Sequence, residues 1–139
     1  MQDLTPFSPL VSVVMPSYNQ GVFIESAIRS VLEQPYPAIE LIVSDGGSTD
    51  DTQSVLKNLS TEFGNQLRWT SEPDQGPAHA VNKALQLAQG TLIGWLNSDD
   101  LYVPGSIERA VAVLLGPENP LLVYGEAEHI DASAHVLGV

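Results

Sequence analysis

The sequence predicts an α/β fold in which a mostly parallel sheet is flanked by helices on both faces. Short apolar runs rich in β-branched residues alternate along the chain with segments whose apolar residues recur at helical spacing. Strands and helices that alternate in this way favour a parallel sheet. The length of 139 residues is enough for a core. We therefore expect a single domain over residues 1–139, with residues 1–9 as an N-terminal extension.

The first half of the chain predicts two strands and two helices. A buried strand is expected over 10–16, "LVSVVMP". A helix should follow it and end at "QPYP", because proline interrupts helices. Its apolar face consists of Ile24, Ala27, Ile28, Val31 and Leu32. The second strand is expected over 39–47, and Ser48 or Thr49 can cap the second helix, with acidic residues in its first turn.

The second half repeats the alternation. A third strand is expected over 67–73, and the helix after it should be closed by Gly90. A fourth strand is expected over 91–97, and Pro104 should open a fourth helix. A fifth strand is expected over 120–130, "PLLVYGEAEHI". Because Leu121–Tyr124 would lie near a boundary of the domain, we also expect self-association to a homo-oligomer.

Composition and charge exclude several classes of protein. The net charge is −12, from 17 acidic and 5 basic residues, and such a surface repels nucleic acid and anionic lipid. No run of 18 apolar residues predicts a membrane span. Cysteine is absent, which excludes disulfides and thiolate metal sites. The first ten residues lack the pattern of a secretory signal, and the expected location is cytoplasmic, either free or peripheral at the inner face of the membrane.

Polar residues follow each of the first four predicted strands. In open sheets of this kind, ligands bind outside the carboxyl ends of the strands. The side chains at those ends therefore form the candidate site. They are Pro16, Ser17, Tyr18 and Asn19 after strand one, Asp45 after strand two, Asp74 after strand three, and Asn97, Ser98, Asp99 and Asp100 after strand four.

A divalent cation is expected at this edge. None of the five basic residues falls in a strand-end loop, and the sequence has neither a G-x-x-x-x-G-K-[ST] phosphate loop nor a G-x-G-x-x-G motif after strand one. Mg²⁺ and Mn²⁺ prefer oxygen ligands and need only one or two carboxylates when a phosphate completes the shell. Asp99 and Asp100 fit such a site, with a diphosphate as the remaining ligand.

Structural interpretations of the same residues stay open. One carboxylate of Asp99 and Asp100 can cap a turn, and Asn19 can be a helix cap. Tyr18 can belong to the core rather than stack on a base. Residues 48–51 fit a turn and helix cap. His79 and His129 are isolated in sequence and are interpreted as structural or as facing an acceptor.

Four blocks in order resemble an inverting glycosyltransferase of family 2 with the GT-A fold, over about residues 11–131. The blocks are "VSVVMPSYNQGVFIESAIRSVLEQ", "ELIVSDGGSTDDT", "SEPDQGPAHAVNKAL" and "GTLIGWLNSDD". The last block is similar to the one that holds the family's D-x-D motif. The resemblance implies a nucleotide-sugar-binding domain of the GT-A type, truncated before the acceptor-binding half.

The resemblance also implies roles for individual residues. Pro16, Ser17, Tyr18 and Asn19 would border the nucleotide, Asp45 would accept a hydrogen bond from a base N–H, and Asp74 would lie near the base or ribose. Asn97 takes the first position of D-x-D, with Ser98 beside it at the nucleotide. Asp99 takes the third position and would hold Mn²⁺ or Mg²⁺, and Asp100 would lie in the second shell or face the sugar.

Three departures from the family pattern matter. Asn97 replaces the usual Asp of D-x-D and brings no charge. Val81 stands where many members have Arg. The family's acidic catalytic base is expected beyond Val139, so no catalytic residue is assigned, and Glu126, Glu128 and Asp131 are interpreted as exposed acids.

The resemblance predicts a transferase that moves a sugar from a nucleotide-diphosphate sugar, with UDP-sugar favoured, to an unknown carbohydrate, lipid-linked or protein acceptor. Cell-wall or polysaccharide biosynthesis is the expected context. The alternative is a non-catalytic nucleotide-sugar-binding module or a fragment without the base. A phospho-acceptor receiver domain would also group acids at strand ends, but it requires a Lys at the end of the last strand, and "LLVYGEAEHID" has none.

Overall fold

The computed structural model describes residues 7–139, so residues 1–6 of the expected N-terminal extension lie outside the described residues. The chain divides into two compact units, one ending at Ser106 and the other running from Ile107 to Val139. The single-domain organisation stays a prediction. Among the described residues, every helix is too short or too polar to cross a bilayer.

The first unit contains a four-stranded parallel sheet, which confirms the predicted fold class. Its strands are β1 (Val11–Ser17), β2 (Ile39–Asp45), β3 (Leu67–Ser71) and β4 (Leu92–Trp95). They lie in the order β3-β2-β1-β4, and each neighbouring pair is parallel. Residues on β1 and β2 are buried along their whole length, as expected for central strands covered on both faces.

Helices cover the sheet. The helices are α1 (Ile24–Leu32), α2 (Thr52–Phe63) and α3 (Pro77–Leu87), and a single 3-10 turn, Gly64–Gln66, precedes β3. Helix α3 contacts β1 and β2 through a cluster made of Val14, Ile42, Val81 and Ala84. Helix α1 contacts strand β2, helix α2 contacts strand β3, and the two helices contact each other. Successive strand residues point to opposite faces of the sheet. The neighbours of Val14 and Ile42 along the strands are also buried, so both faces of the sheet are covered.

A buried polar network joins the amino-terminal ends of three strands. Glu40 is 6% exposed, and its Oε1 accepts hydrogen bonds from Ser12 Oγ at 2.5 Å and from the Gln89 backbone N–H at 2.7 Å. Its Oε2 accepts from Arg68 Nη2 at 2.8 Å. The network holds β1, β2, β3 and the segment after α3 together. A buried carboxylate is tolerated here because every partner it needs is in place.

Gly90 lies in that network and is not the cap of α3, which ends at Leu87 with Ala88 at the C-cap. The prediction that Gly90 closes the helix is therefore wrong. Its N–H donates to Ser12 Oγ at 2.7 Å, and a Cβ at this position would lie 2.5 Å from the Leu10 carbonyl oxygen. The position requires glycine because the backbone approaches β1 too closely for a side chain.

Of the fifth strand expected over 120–130, only the last two residues form a strand. The second unit has only a short antiparallel pair, β5 (His129–Ile130) and β6 (Val136–Gly138). Leu121, Leu122 and Tyr124 are 102%, 76% and 89% exposed. An apolar run forms a strand only where it can pair with another strand and pack against an apolar layer, and this run does neither among the described residues. Helix α4 (Ser106–Leu114) begins at the boundary of the units, two residues after Pro104.

Candidate functional site

The carboxyl ends of the four parallel strands meet at one edge, as the sequence predicts. Ser17 of β1 is in register with Asp45 of β2, which is in register with Ser71 of β3. On the other side, Trp95 of β4 is in register with Val14 of β1. The loops that follow these strands therefore begin at the same edge of the sheet. We call this region the strand-end edge.

Asp45 is fully buried at the strand-end edge. Its Oδ1 accepts from Ser48 Oγ at 2.5 Å, and its Oδ2 accepts from the Ser48 N–H at 2.8 Å and from Ser71 Oγ at 2.7 Å. With 0% exposure, the carboxylate offers no surface to a ligand in this conformation. Contact between Asp45 and a base N–H stays a prediction, and it requires Ser48 or Ser71 to give way.

Asn19 joins the loop after β1 to the loop after β2. Its φ of 52° lies in the left-handed region, which Asn adopts more readily than most residues. Its N–H donates to Ser48 Oγ at 2.8 Å, and its Oδ1 accepts from the Thr49 N–H at 2.9 Å. Helix α1 begins at Ile24 with Phe23 at the N-cap. The interpretation of Asn19 as a helix cap is therefore wrong, and the residue caps a loop across the sheet edge instead.

Because they take part in this network, Ser48 and Thr49 do not cap helix α2. Helix α2 begins at Thr52 with Asp51 at the N-cap, and its first turn contains no acidic residue. The expected cap at Ser48 or Thr49 and the acidic first turn are thus wrong, whereas the N-cap at Asp51 agrees with the interpretation of residues 48–51 as a turn and helix cap. Asp50 instead accepts from the Gly21 N–H at 2.9 Å and from Thr52 Oγ1 at 2.5 Å. The hydrogen bond from Thr52 holds the pKa of Asp50 below its ordinary value.

The loop after β3 brings Asp74 to the β2 end. A Cβ on Gly46 would lie 2.9 Å from Asp74 Oδ2, so the carboxylate rests directly on the Gly46 backbone. Asp74 Oδ1 also accepts from the Gly76 N–H at 2.9 Å, immediately before α3. His79 Nδ1 accepts from the Gln75 N–H at 3.0 Å, which agrees with the structural interpretation of this histidine.

Sequence reasoning missed one cation at the strand-end edge. Lys83 lies two turns into α3, and its Nζ reaches Glu72 Oε1 at 2.9 Å in the loop after β3. That ion pair lowers the pKa of Glu72. The signal in the sequence was a long basic side chain within two turns of a strand-end loop. Because Glu72 neutralises the ammonium group, the edge still presents an excess of carboxylates.

The residues after β4 form a tight turn. The Asp100 N–H donates to the Asn97 carbonyl at 3.1 Å, and Asn97 Nδ2 lies 3.4 Å from Asp100 Oδ2. Ser98 is 3% exposed, whereas Asn97, Asp99 and Asp100 are exposed. Within residues 7–139, the Asp99 carboxylate accepts no hydrogen bond and forms no ion pair, so it is available to a ligand.

Three residues at the end of β1 differ in what they can offer. Pro16 and Ser17 are buried, and the Ser17 hydroxyl has no hydrogen-bond partner within the described chain. The Ser44 hydroxyl on the neighbouring strand is unpaired in the same way. Tyr18 is 59% exposed, which excludes the core interpretation and leaves its ring accessible. An unpaired buried hydroxyl costs about 1–3 kcal/mol, so two of them at the strand-end edge require an explanation.

The acids of the second unit show no features of a general base. Asp131 Oδ1 accepts from the His135 and Ser133 N–H groups at 2.9 and 2.8 Å, and Oδ2 lies 3.2 Å from His135 Nδ1. Those hydrogen bonds, that of the His135 N–H first, hold the pKa of Asp131 below its ordinary value. Glu126 and Glu128 are exposed. None of the three is assigned a catalytic role.

Comparison with known proteins agrees with this geometry. The family model described as Glycosyl transferase family 2 matches residues 12–131. The E. coli protein named UDP-Glc:alpha-D-GlcNAc-diphosphoundecaprenol beta-1,3-glucosyltransferase WfgD is 37% identical over 91% of this chain and 49% of its own. The Bacillus subtilis protein named putative teichuronic acid biosynthesis glycosyltransferase TuaG is 37% identical over 81% of this chain and 44% of its own.

Solved structures give the same picture. The mannosyltransferase PcManGT from Pyrobaculum calidifontis, in complex with GDP-Man and Mn²⁺, superposes with a TM-score of 0.74 at 32% identity. That match covers 81% of this chain and 34% of the other. A portion of S. aureus TarS in complex with UDP-GlcNAc superposes with a TM-score of 0.69 at 27% identity, over 76% of this chain and 31% of the other.

A parallel sheet with polar loops at its carboxyl edge is typical of Rossmann-like domains, and the superposition on the mannosyltransferase PcManGT assigns this one to the GT-A type. The chain belongs to glycosyl transferase family 2, and its relatives are named as glycosyltransferases. It spans less than half the length of the curated relatives described above.

Proposed function

We propose that this chain is the donor-binding part of a metal-assisted, inverting glycosyltransferase whose donor is a UDP-sugar. The observation that carries the proposal is the unpaired, exposed Asp99 carboxylate at an edge where the ends of four parallel strands meet. The names of the relatives support a nucleotide-diphosphate sugar as donor. They also favour an enzyme over a non-catalytic binding module.

The residues of the strand-end edge fit a divalent cation. Asp99 and Asp100 are adjacent, exposed and rich in oxygen, which suits Mg²⁺ and Mn²⁺. No group of three or more His, Cys, Asp or Glu in the described part of the chain is arranged to hold a metal ion. With only these two carboxylates, the remaining ligands of such an ion would be water and the donor's phosphates. When bound, such an ion supplies Lewis-acid stabilisation to a leaving diphosphate.

The chain's own residues perform binding and orientation. We assign Asp99 to the metal and Asn97 to the nucleotide at the first position of the D-x-D-like motif. Ser98 lies beside Asn97 and, being 3% exposed, would contact the nucleotide only if the turn after β4 opens. Asp100 lies beside Asn97, in the second shell or facing the sugar.

We assign the base and ribose of the donor to residues at the ends of β1, β2 and β3. Tyr18 is proposed to stack on the base, and its exposed ring supports this role. Pro16, Ser17, Asn19 and Asp74 are assigned to the border of the nucleotide, and the unpaired Ser17 hydroxyl would meet a ligand atom or a water only if the buried edge opens. Asp45 holds the loops after β1 and β2 in place and meets the base only if its present hydrogen bonds rearrange.

A panel of nucleotides tests the donor assignment. Thermal unfolding of the chain should be measured with Mn²⁺ and UDP, GDP or dTDP. We expect UDP to raise the midpoint by several degrees and more than the others do, because a ligand at about 100 times its Kd adds about 2.7 kcal/mol of stability. A larger shift with GDP would reassign the donor to guanosine. No shift with any of the three would contradict the proposed function.

A further inference from the structure

Trp95, the last residue of β4, is exposed yet makes a specific hydrogen bond. It is 57% exposed, so burial does not account for a tryptophan at this position. Its indole Nε1–H donates to Asn97 Oδ1 at 3.1 Å. The indole nitrogen can only donate, whereas an amide has one end that accepts and one that donates. The contact therefore decides which end of the Asn97 amide faces which neighbour.

The other end of that amide points to Asp100. Asn97 Nδ2 lies 3.4 Å from Asp100 Oδ2, at the long limit of a hydrogen bond. An Asp at position 97 would place a carboxylate there and repel Asp100, whereas the amide offers a donor. The order is thus indole N–H, amide oxygen, amide nitrogen and carboxylate. We call this series of contacts, from Trp95 through Asn97 to Asp100, the relay.

The backbone of Trp95 is itself fixed. Its carbonyl accepts from Tyr102 Oη at 3.0 Å, and burial raises the pKa of that phenol, which keeps it protonated and able to donate. The Tyr102 N–H donates to Ser30 Oγ on α1 at 3.1 Å, and Gln34 Nε2 donates to the Val103 carbonyl at 2.9 Å. The turn after β4 is therefore fixed against α1, and these contacts also fix the backbone that carries the indole.

We propose that Trp95 is a positioning residue of the donor site, which fixes the polarity of the Asn97 amide so that its N–H end faces Asp100 next to the metal-binding Asp99. This inference rests on the proposed function. It assigns to an exposed aromatic residue outside the D-x-D-like motif a role in nucleotide and metal binding. The role is exerted through Asn97 rather than by contact with the ligand.

The geometry can be tested without any ligand. The chain has two tryptophans, and Trp69 Nε1 donates to Ser60 Oγ at 2.9 Å, so its indole signal serves as an internal reference. In ¹⁵N-labelled protein, Asn97→Ala should shift the Trp95 indole N–H resonance upfield in the proton dimension and leave that of Trp69 in place. An unchanged Trp95 resonance would overturn the proposal.

The functional role is tested by a double-mutant cycle. Trp95→Phe should weaken binding of UDP with Mn²⁺ roughly threefold to tenfold, the effect of one hydrogen bond, and should have no further effect in an Asn97→Ala background. Ile93→Ala is the matched control, because Ile93 lies two residues earlier on β4, is 50% exposed and is not part of the relay. We expect it to change Kd by less than about twofold.

The outcomes separate this inference from the proposed function. If Trp95→Phe binds UDP normally, or weakens UDP binding equally with Asn97 and with Ala at position 97, the role of Trp95 is overturned. The proposed function is not affected by that result. Absence of Mn²⁺-dependent binding of UDP and of GDP by the unaltered chain overturns both. Thermal midpoints of the variants should match that of the parent, and a large drop for Trp95→Phe would mean that the residue is structural rather than positioning.

Discussion

Replacing Asp99 with Asn is expected to weaken Mn²⁺-dependent UDP binding by at least about 100-fold. Loss of a residue that merely supports a metal ligand costs roughly 10–100-fold in affinity, so loss of the ligand itself should cost no less. The substitution keeps the size of the side chain and removes only its charge. Because Asp99 is exposed and unpaired in the described structure, the variant should fold normally. Isothermal titration of UDP in the presence of Mn²⁺ measures the effect.

Asp51→Asn is the matched control for that experiment. Asp51 is exposed, its side chain makes no capping hydrogen bond to α2, and its replacement changes the net charge by the same amount. We expect its UDP affinity to stay close to that of the parent chain. An equal loss in both variants would show that general surface charge, rather than a ligand at position 99, governs binding.

Replacing Glu40 with Ala is expected to lower the free energy of unfolding by about 3 kcal/mol, the order found when one member of a buried ion pair is removed. The change leaves the Gln89 N–H and the Ser12 hydroxyl without their acceptor and Arg68 without its counter-ion. Denaturation in urea provides the measurement. Glu33→Ala is the control, because Glu33 pairs with Arg29 at the surface, where solvent screening leaves such pairs little effect on stability.

Glu40 also predicts how stability depends on pH. Burial raises the pKa of Glu40, but the hydrogen bonds from Ser12, Gln89 and Arg68 outweigh burial and hold it below its ordinary value of 4.5. A depressed pKa in the folded state means that the stabilisation is fully present above about pH 4.5 and is lost as the pH falls through the lower folded-state value. Glu40→Ala should therefore flatten the acid limb of the stability profile. An unchanged acid limb would contradict this role.

The sheet and its edge follow from patterns that are local in sequence. The apolar runs of β1 and β2 and the helical spacing of α1 are each contained in fewer than ten residues, and the edge follows from the rule that parallel strands end together. For this reason Asp45, Asp74 and the residues after β4 were placed at one edge correctly. The same reasoning predicts Asp99 as a metal ligand; the structure shows its carboxylate exposed, and the assignment to a metal stays a prediction.

What the sequence did not reveal depends on contacts between distant residues. Ser48 has the composition of a helix cap, but Asn19 and Asp45 engage its hydroxyl. Gly90 looks like a helix terminator, but Leu10 and Ser12 exclude a side chain there. The relay from Trp95 to Asn97 depends on the direction of one side chain at a strand end. The periodicity of apolar residues in a sequence does not predict that direction.

We propose that the acidic strand-end edge binds a nucleoside diphosphate only together with a divalent cation. Calorimetric titration of UDP into the chain, first with excess Mn²⁺ and then after treatment with EDTA, tests it most directly. We predict saturable binding with Mn²⁺ and none that is measurable with EDTA. Equal affinity under both conditions would contradict the claim, as would the absence of binding in excess Mn²⁺.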